Sequence, residues 1–387
     1  MKIILSPDSF KGSLSARGVA LALEKGICKV IPEAECRIVP IADGGEGTLE
    51  ALVEKKDFHY AAVRSANGSP INAAYGVKGK TAVIEMARAA GLTLVEPEKR
   101  DPLIASTFGV GELILHALEG GCDHILLTVG GSGTNDGGSG MFCALGGRLF
   151  DADGNELLGC GGSLARVARV DASGLDARLK DCIFTVASDV TNPLVGENGA
   201  TRVYGPQKGA TPDIIDALEA GMRGYADAIE RASGKKIAKI AGCGAGGGLI
   251  APLLAFCNVT VRSGIESVLE ASGFDALLTD ADAVITGEGR VDGQSCYGKA
   301  ISGVAAHAKA YGVPVYVASG GLGEGWEELL NHGIKQVFSL MEEVKHLPQE
   351  ERIDYCMKNA ESLLAVVGER IGRLALSLAA SAESACE

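Results

Sequence analysis

The chain has 387 residues, 47% of them hydrophobic and 22% charged, with a formal net charge of −13. That length exceeds one ordinary core and points to two domains, and the composition is that of a water-soluble globular protein. The negative balance argues against nucleic acid or an anionic membrane as partner, but not against an anionic small molecule held by local cations and backbone N–H groups.

At the amino end "MKIILSPDSF" reads as a short strand running into a Pro-Asp loop, not as a signal peptide. A helix follows with Ala16, Val19, Ala20, Leu23 and Ile27 on one face, then a strand "CRIVPIA" and a helix beginning near Glu46. From about Phe58 to Ala87, alternating short runs around the turn "ANGSP" predict an antiparallel meander. Next come a helix after Ser106, a buried strand "HILLTV", the loop "GGSGTNDGGSG" and a strand "CIFTVASDV". A long helix from about Pro212 to Ala232 and the strand-like "FCNVTVRS" complete the middle. Toward the carboxyl end "DAVIT", "VPVYVAS" and "KQVFSL" alternate with helices. The last helix, from about Gln349, carries Ile353, Met357, Ala360, Leu364, Val367, Ile371 and Leu374 at helical spacing.

The five strands at the two ends predict a doubly wound parallel sheet, and the middle predicts a second α/β domain inserted into it. The expected partition is 1–60 with 262–387 for the discontinuous domain and 61–261 for the insert. Ligands on such sheets bind beyond the carboxyl ends of the strands, where "SPDSFKGS", "IADGGEGT", "ITGEGRVDGQS" and "ASGGLGE" lie. No window is apolar enough to span a bilayer, and eleven scattered cysteines without a CxxC fit reduced thiols in the cytoplasm.

The 54 glycines cluster in loops, where backbone N–H groups can approach a ligand closely. Acidic residues stand beside them: Asp43 and Glu46 in "ADGGEG", Asp136 in "TNDGG", Asp189 in "ASDVTNP", Glu288 and Asp292 in "GEGRVD". Carboxylates at strand ends with flexible backbone around them suit Mg²⁺-assisted phosphoryl transfer, although each alone fits an N-cap or an Asx-turn equally well. Lys11, Lys208 and Lys299 stand in loops of the same kind, and Lys11, between Ser9 and Ser13, precedes a helix N-terminus that favours anions. "GQSCYGKA" (293–300) is one residue short of a Walker A loop, because Ala300 replaces the metal-binding hydroxyl. "GCGAGG" (242–247) matches GxGxxG without a convincing strand before it, the basis of an alternative reading as a nicotinamide-dependent hydroxy-acid dehydrogenase. The six histidines show no metal spacing, and no GxSxG elbow occurs.

Taken in order, "SPDSFKGSLSA" (6–16), "PIADGGEGT" (40–48), "STFGVGELI" (106–114), "GGSGTNDGGSGM" (130–141), "SDVTNPLVGENGA" (188–200), "YGPQKGA" (204–210) and "ADAVITGEGRVDGQSCYGK" (281–299) resemble the bacterial glycerate kinase family over nearly the whole chain. Gly133 stands where alanine is usual, and Gly293 and Ser295 where a bulkier polar residue and threonine are common. The resemblance implies a flavodoxin-like domain split by an inserted α/β domain, with the active site in the cleft between them. It also implies transfer of the γ-phosphoryl of ATP to D-glycerate with Mg²⁺, giving 2-phosphoglycerate, with 3-phosphoglycerate as the alternative product. The expected catalytic residues are Asp189, Asp43 and Lys11, and the expected metal ligands Asp43, Glu288 and Asp292. Ser9, Asn135, Asp136, Asn192, Gln207, Lys208 and Arg290 are expected at the substrate, and Gly44, Gly45, Gly287, Gly289, Ser295 and Lys299 at the nucleotide. The protein is expected to be a monomer or homodimer with no nucleic-acid or membrane partner.

Overall fold

The structure is a computed structural model that describes residues 1–296 and 300–385. The chain forms two compact units, Met1–Asp43 together with the segment from Val268 onward, and Gly44–Ser267. In chain order the strands are β1 (Lys2–Pro7), β2 (Glu35–Ile38), β3 (Phe58–Arg64), β4 (Pro70–Lys78), β5 (Thr81–Glu85), β6 (His124–Thr128) and β7 (Arg148–Phe150). They continue with β8 (Glu156–Leu157), β9 (Arg169–Asp171), β10 (Ile183–Ala187), β11 (Asn258–Arg262), β12 (Ala283–Val291), β13 (Val315–Leu322) and β14 (Ile334–Ser339).

The first unit holds a five-stranded sheet in the order β14-β13-β12-β1-β2, every pair parallel. Numbered among themselves, these strands run 5-4-3-1-2, which is the flavodoxin-like order, and the direction of winding reverses between β1 and β12. On one face the helix Ala16–Val30 buries Val19, Leu23 and Ile27 against Ile3 and Leu5 of β1 and Leu364, Val367 and Ile371 of the last helix. Complete burial of one such side chain stabilises by about 1.5–3 kcal/mol. Ser15 starts that helix by accepting from the N–H of Gly18 at 3.2 Å.

The terminal helical pattern is not one helix. Gln349–Lys358 and Ala360–Ala385 are separate, and Asn359 divides them with φ −113° and ψ 19°. Its amide side chain and its backbone N–H both donate to the carbonyl of Tyr355, each at 2.9 Å, which ends the first helix. The apolar register therefore restarts, and Ile353 and Met357, expected on the buried face, are 65% and 45% exposed.

The second unit holds a six-stranded sheet in the order β11-β10-β6-β5-β4-β3. β5, β6, β10 and β11 are parallel, and β4 and β3 add the antiparallel meander beside them. Its core gathers Ile84, Val110, Leu113, Ile125, Leu127, Phe184 and Val186. A small antiparallel sheet, β8-β7-β9, was not predicted, its strands being only two or three residues long. Among the described residues no helix is long and apolar enough to cross a membrane.

Candidate functional site

In the first unit the loops after β1 and β12 emerge side by side at the reversal of winding, where sheets of this order bind ligands. The N–H of Asp8 donates to the carbonyl of Gly287 at 2.8 Å. Gly289 comes so near the β1 loop that a Cβ there would lie 3.4 Å from the Cα of Phe10. Gly287 has no room for a side chain, since a Cβ would meet the carbonyl of Ala318 on β13. Asp8 accepts from the N–H of Ser9 at 2.5 Å. Asp43, beyond β2, and Lys11 lie close enough to Asp8 to act on its charge. Burial, opposed by the Ser9 hydrogen bonds and aided by the charge of Asp43, raises the Asp8 carboxyl to about 6.

Downstream of β12, Ser295 is buried and its hydroxyl donates to Glu288. The N–H of Asp292 donates to the same hydroxyl at 3.3 Å, and Asp292 in turn accepts from the N–H of Gln294 at 2.9 Å. Glu288, Asp292 and Ser295 thus knit one turn. Arg290 is exposed near Gly323, and Lys299 lies outside the described residues.

In the second unit the loop 44–47 is held by Glu85, at the end of β5. One Glu85 oxygen accepts from the N–H groups of Gly47 and Leu49, each at 2.9 Å, and the other from Arg88 at 2.7 Å. Gly44 has φ 81° and packs so closely that a Cβ would lie 2.6 Å from the Cα of Gly264. A Cβ on Gly130 would lie 2.9 Å from the Cα of Gly45.

Asp136 is wholly buried. It accepts from the N–H and the hydroxyl of Thr107, both at 2.8 Å, and from the N–H groups of Gly138 and Gly140, both at 3.1 Å. Burial raises its pKa, and those four donors oppose the shift. Lys208 is also buried, donating to the hydroxyl of Ser132 at 2.9 Å and to the carbonyl of Thr134 at 2.6 Å. Desolvation brings it down to about 7 against the pull of Asp136. Beside it the Asn135 amide donates to the hydroxyl of Thr201 at 3.0 Å, while its Oδ1 is buried without a partner.

Asp189, at the end of β10, is exposed and accepts from the N–H of Gly264 at 2.9 Å. Asn192 donates to the carbonyl of Asn198 at 2.7 Å and accepts from Tyr204 at 2.8 Å. Gln207 is exposed next to buried Lys208. Among the expected residues, then, Asn135, Asp136 and Lys208 form one buried group, and Asp189 and Asn192 have separate partners. Sequence reasoning passed over Asp8 and Glu85. A Pro-Asp step ending a strand signalled the first, and a glutamate closing the apolar run "TAVIE" before a glycine-poor turn signalled the second.

The segment 242–247 does not open a βα unit. No strand leads into it, and it packs on other loops, with the N–H of Gly244 donating to Asn192 and the N–H of Gly137 donating to Gly247. A dinucleotide fingerprint needs a strand at that point. Among the described residues no three His, Cys, Asp or Glu side chains are grouped to hold a metal ion.

The model of the glycerate kinase family matches residues 3–376. The chain belongs to the glycerate kinase family. It is 48% identical to the glycerate 2-kinase of Escherichia coli K12, over 92% of this chain and 94% of that one. To the glycerate kinase of Halalkalibacterium halodurans it is 47% identical, over 95% and 97% respectively. The crystal structure of a candidate glycerate kinase 2 from Salmonella typhimurium LT2 matches with a TM-score of 0.87 and 44% identity, covering 99% of each chain. The glycerate kinase family thus accounts for the two-unit α/β architecture over the full span of the chain.

Proposed function

We propose that the protein uses ATP to phosphorylate D-glycerate on its 2-hydroxyl, releasing 2-phosphoglycerate and ADP. The observation that carries this reading is the set of acidic and basic side chains at the carboxyl edge of a sheet in flavodoxin order, in a chain of the glycerate kinase family. The choice of the 2-hydroxyl over the 3-hydroxyl is supported by the name of the E. coli relative.

In the reaction the glycerate oxygen bonds to the γ-phosphorus, the bond to the leaving ADP oxygen breaks, and the hydroxyl proton passes to a carboxylate. We assign that proton to Asp189, which is exposed and oriented by the N–H of Gly264, with Asp43 as the second candidate. On the second unit we assign Asn192 and Gln207 to the glycerate oxygens, while Asn135 and Lys208, expected there too, are buried and donate within the protein, and with Asp136 they shape the loop around 132–136. To the first unit we assign Lys11, Ser9 and Arg290 for the charge of the transferred group and Gly287, Gly289 and Ser295 for the nucleotide.

Mg²⁺ is bound in kinases through one or two carboxylates and the phosphates themselves, so a complete protein cage is not required. The residues fit such an ion: Asp8 and Asp43 repel each other across a short distance, and a cation would relieve them. One or two of the expected ligands Asp43, Glu288 and Asp292 would hold it together with the phosphates, since among the described residues no three are grouped around one point, and it would supply neutralisation of phosphate charge. The protein acts as a cytoplasmic monomer or homodimer without a nucleic-acid partner.

An assay of ADP release tests the reading. Release is expected to require both D-glycerate and Mg²⁺, with phosphorus NMR showing the 2-phosphate. Nicotinamide binding without ADP release would establish a dehydrogenase instead, and a 3-phosphate product would overturn the regiochemistry.

A further inference from the structure

Tyr204 has no part in the reaction described above, yet its half-buried phenol is bonded to a residue that does. Asn192 lies in the loop after β10, three residues beyond Asp189, and Tyr204 ends the short helix Ala200–Tyr204 that leads to Gln207 and Lys208. The Nδ2 of Asn192 donates to the carbonyl of Asn198 at 2.7 Å, and the Tyr204 hydroxyl donates to its Oδ1 at 2.8 Å. A carbonyl only accepts, so the first bond fixes which end of the amide is nitrogen; turned over, it would set oxygen against oxygen. The second bond ties the other end, so the side chain cannot swing away from Asn198. Partial burial raises the Tyr204 phenol above its usual pKa, so at neutral pH it is protonated and donates. The backbone beneath is fixed as well, the carbonyl of Asn192 accepting from the N–H of Gly244 at 2.9 Å. The turn that carries Asn198 is closed by the N–H of Gly199 donating to Gly196 at 2.8 Å. Asn192 is partly exposed, and its second amide N–H takes no partner among the described residues.

We propose that Tyr204 is a positioning residue for substrate recognition: it locks the Asn192 amide with one N–H turned outward, and that N–H donates to the carboxylate of glycerate. This rests on the assignment of Asn192 to glycerate in the proposed reaction and adds which oxygen the amide takes. The reacting hydroxyl needs an acceptor for its proton, the role given to Asp189, and a fixed N–H donor cannot fill it. A carboxylate only accepts, and its charge strengthens the hydrogen bond.

Calorimetric titration of the full-length protein with D-glycerate, without nucleotide, reads this contact apart from turnover. Tyr204→Phe keeps the ring and removes the hydroxyl, and is expected to weaken glycerate binding about tenfold. Its KM for glycerate should rise in step, with kcat and the KM for ATP within about twofold of the parent. Asn192→Ala is expected to lose at least as much, and adding Tyr204→Phe to it should change nothing further, because Tyr204 acts only through Asn192. Asn192→Asp sets carboxylate against carboxylate and is expected to bind glycerate more weakly than Asn192→Ala. Thermal melts establish that each variant is folded at the titration temperature. Unchanged binding in Tyr204→Phe would overturn the proposal. So would an equal loss from Tyr204→Phe in the Asn192→Ala background, which would mean that the phenol acts on the substrate or the fold directly. Asn192→Asp binding glycerate as tightly as the parent would remove the carboxylate contact. Glycerate binding without ADP release in the parent would remove the kinase reading and leave this inference standing.

Discussion

Two acid-and-glycine loops of this protein have similar composition and opposite construction. In "TNDGGSG" the carboxylate of Asp136 is wholly buried and ringed by four donors, so the loop is folded around its own acid. In "SPDSFKGS" Asp8 accepts from the N–H of its neighbour Ser9, and burial and Asp43 leave its charge costly at neutral pH. The lesson is that an acidic residue among glycines identifies a loop but not its purpose. The number of N–H groups turned toward the carboxylate decides whether the acid holds the fold or is held ready for something else.

Conservative amide substitutions separate the two kinds. The largest effects are expected where the acid is proposed to touch the reaction. Asp189→Asn keeps an oxygen for the N–H of Gly264 and loses the proton acceptor. Its turnover, and that of Asp43→Asn, is expected to fall roughly 100- to 10,000-fold with the folded structure intact. Near-normal turnover in both variants would remove the assignment.

Asp136→Asn comes next and should register first in stability. An amide cannot accept from all four donors, and a buried donor left unpaired costs about 1–3 kcal/mol. A loss of about 3 kcal/mol in urea unfolding is therefore expected. Unchanged stability with a raised KM for glycerate would turn Asp136 into a substrate ligand and break the contrast with Asp8.

Asp8 should respond in the opposite sense. Its folded pKa, about 6, is above the ordinary carboxyl value of 3.8, so between these values the native state binds more protons than the unfolded chain. Stability from this group is greatest in acid, falls as pH rises from about 4 to 6, and stays reduced above that. Asp8→Asn removes the cost, and is expected to gain about 1–3 kcal/mol at pH 7 while flattening that stretch of the stability profile. A loss of stability at pH 7 would show that the charged form is the one the fold prefers.

Much of the fold was legible in the sequence, because strands and helices that bury one face carry their period openly. β1, β12 and β13 carry the unbroken apolar runs "IIL", "AVI" and "VYVA", and the helix Ala16–Val30 shows its buried face residue by residue. What was hidden was set by tertiary or side-chain events. The strands β7 to β9 are too short to show alternation, and Asn359 stops a pattern whose apolar spacing continues through it. Site residues were legible as types and loops, since acid, lysine and glycine cluster where strands end. Their partners were not. Nothing in the sequence shows that Lys208 reaches the carbonyl of Thr134 across 74 positions, or that Glu85 ties down the loop 44–47.

The smallest expected effect concerns one of the departures from the family pattern, Gly133, which stands in the same loop as Asp136. Its φ is not positive, so alanine meets no backbone penalty, and replacing glycine stiffens the unfolded chain by about 0.4–1 kcal/mol in favour of folding. Against that, a Cβ would lie 3.0 Å from the carbonyl oxygen of Gly91 and 3.1 Å from the Cα of Leu92. Those atoms can yield only by moving backbone, and the N–H of Gly133 ties the same stretch to the carbonyl of Ala90 at 2.8 Å. Gly293 contrasts with it, because the nearest atom to a Cβ there is 3.5 Å away, an ordinary contact. Gly133→Ala is thus expected to shift stability by less than about 1 kcal/mol in either direction. A larger loss, with Gly293→Ala neutral, would show that the Asp136 loop is as rigid as its four hydrogen bonds imply.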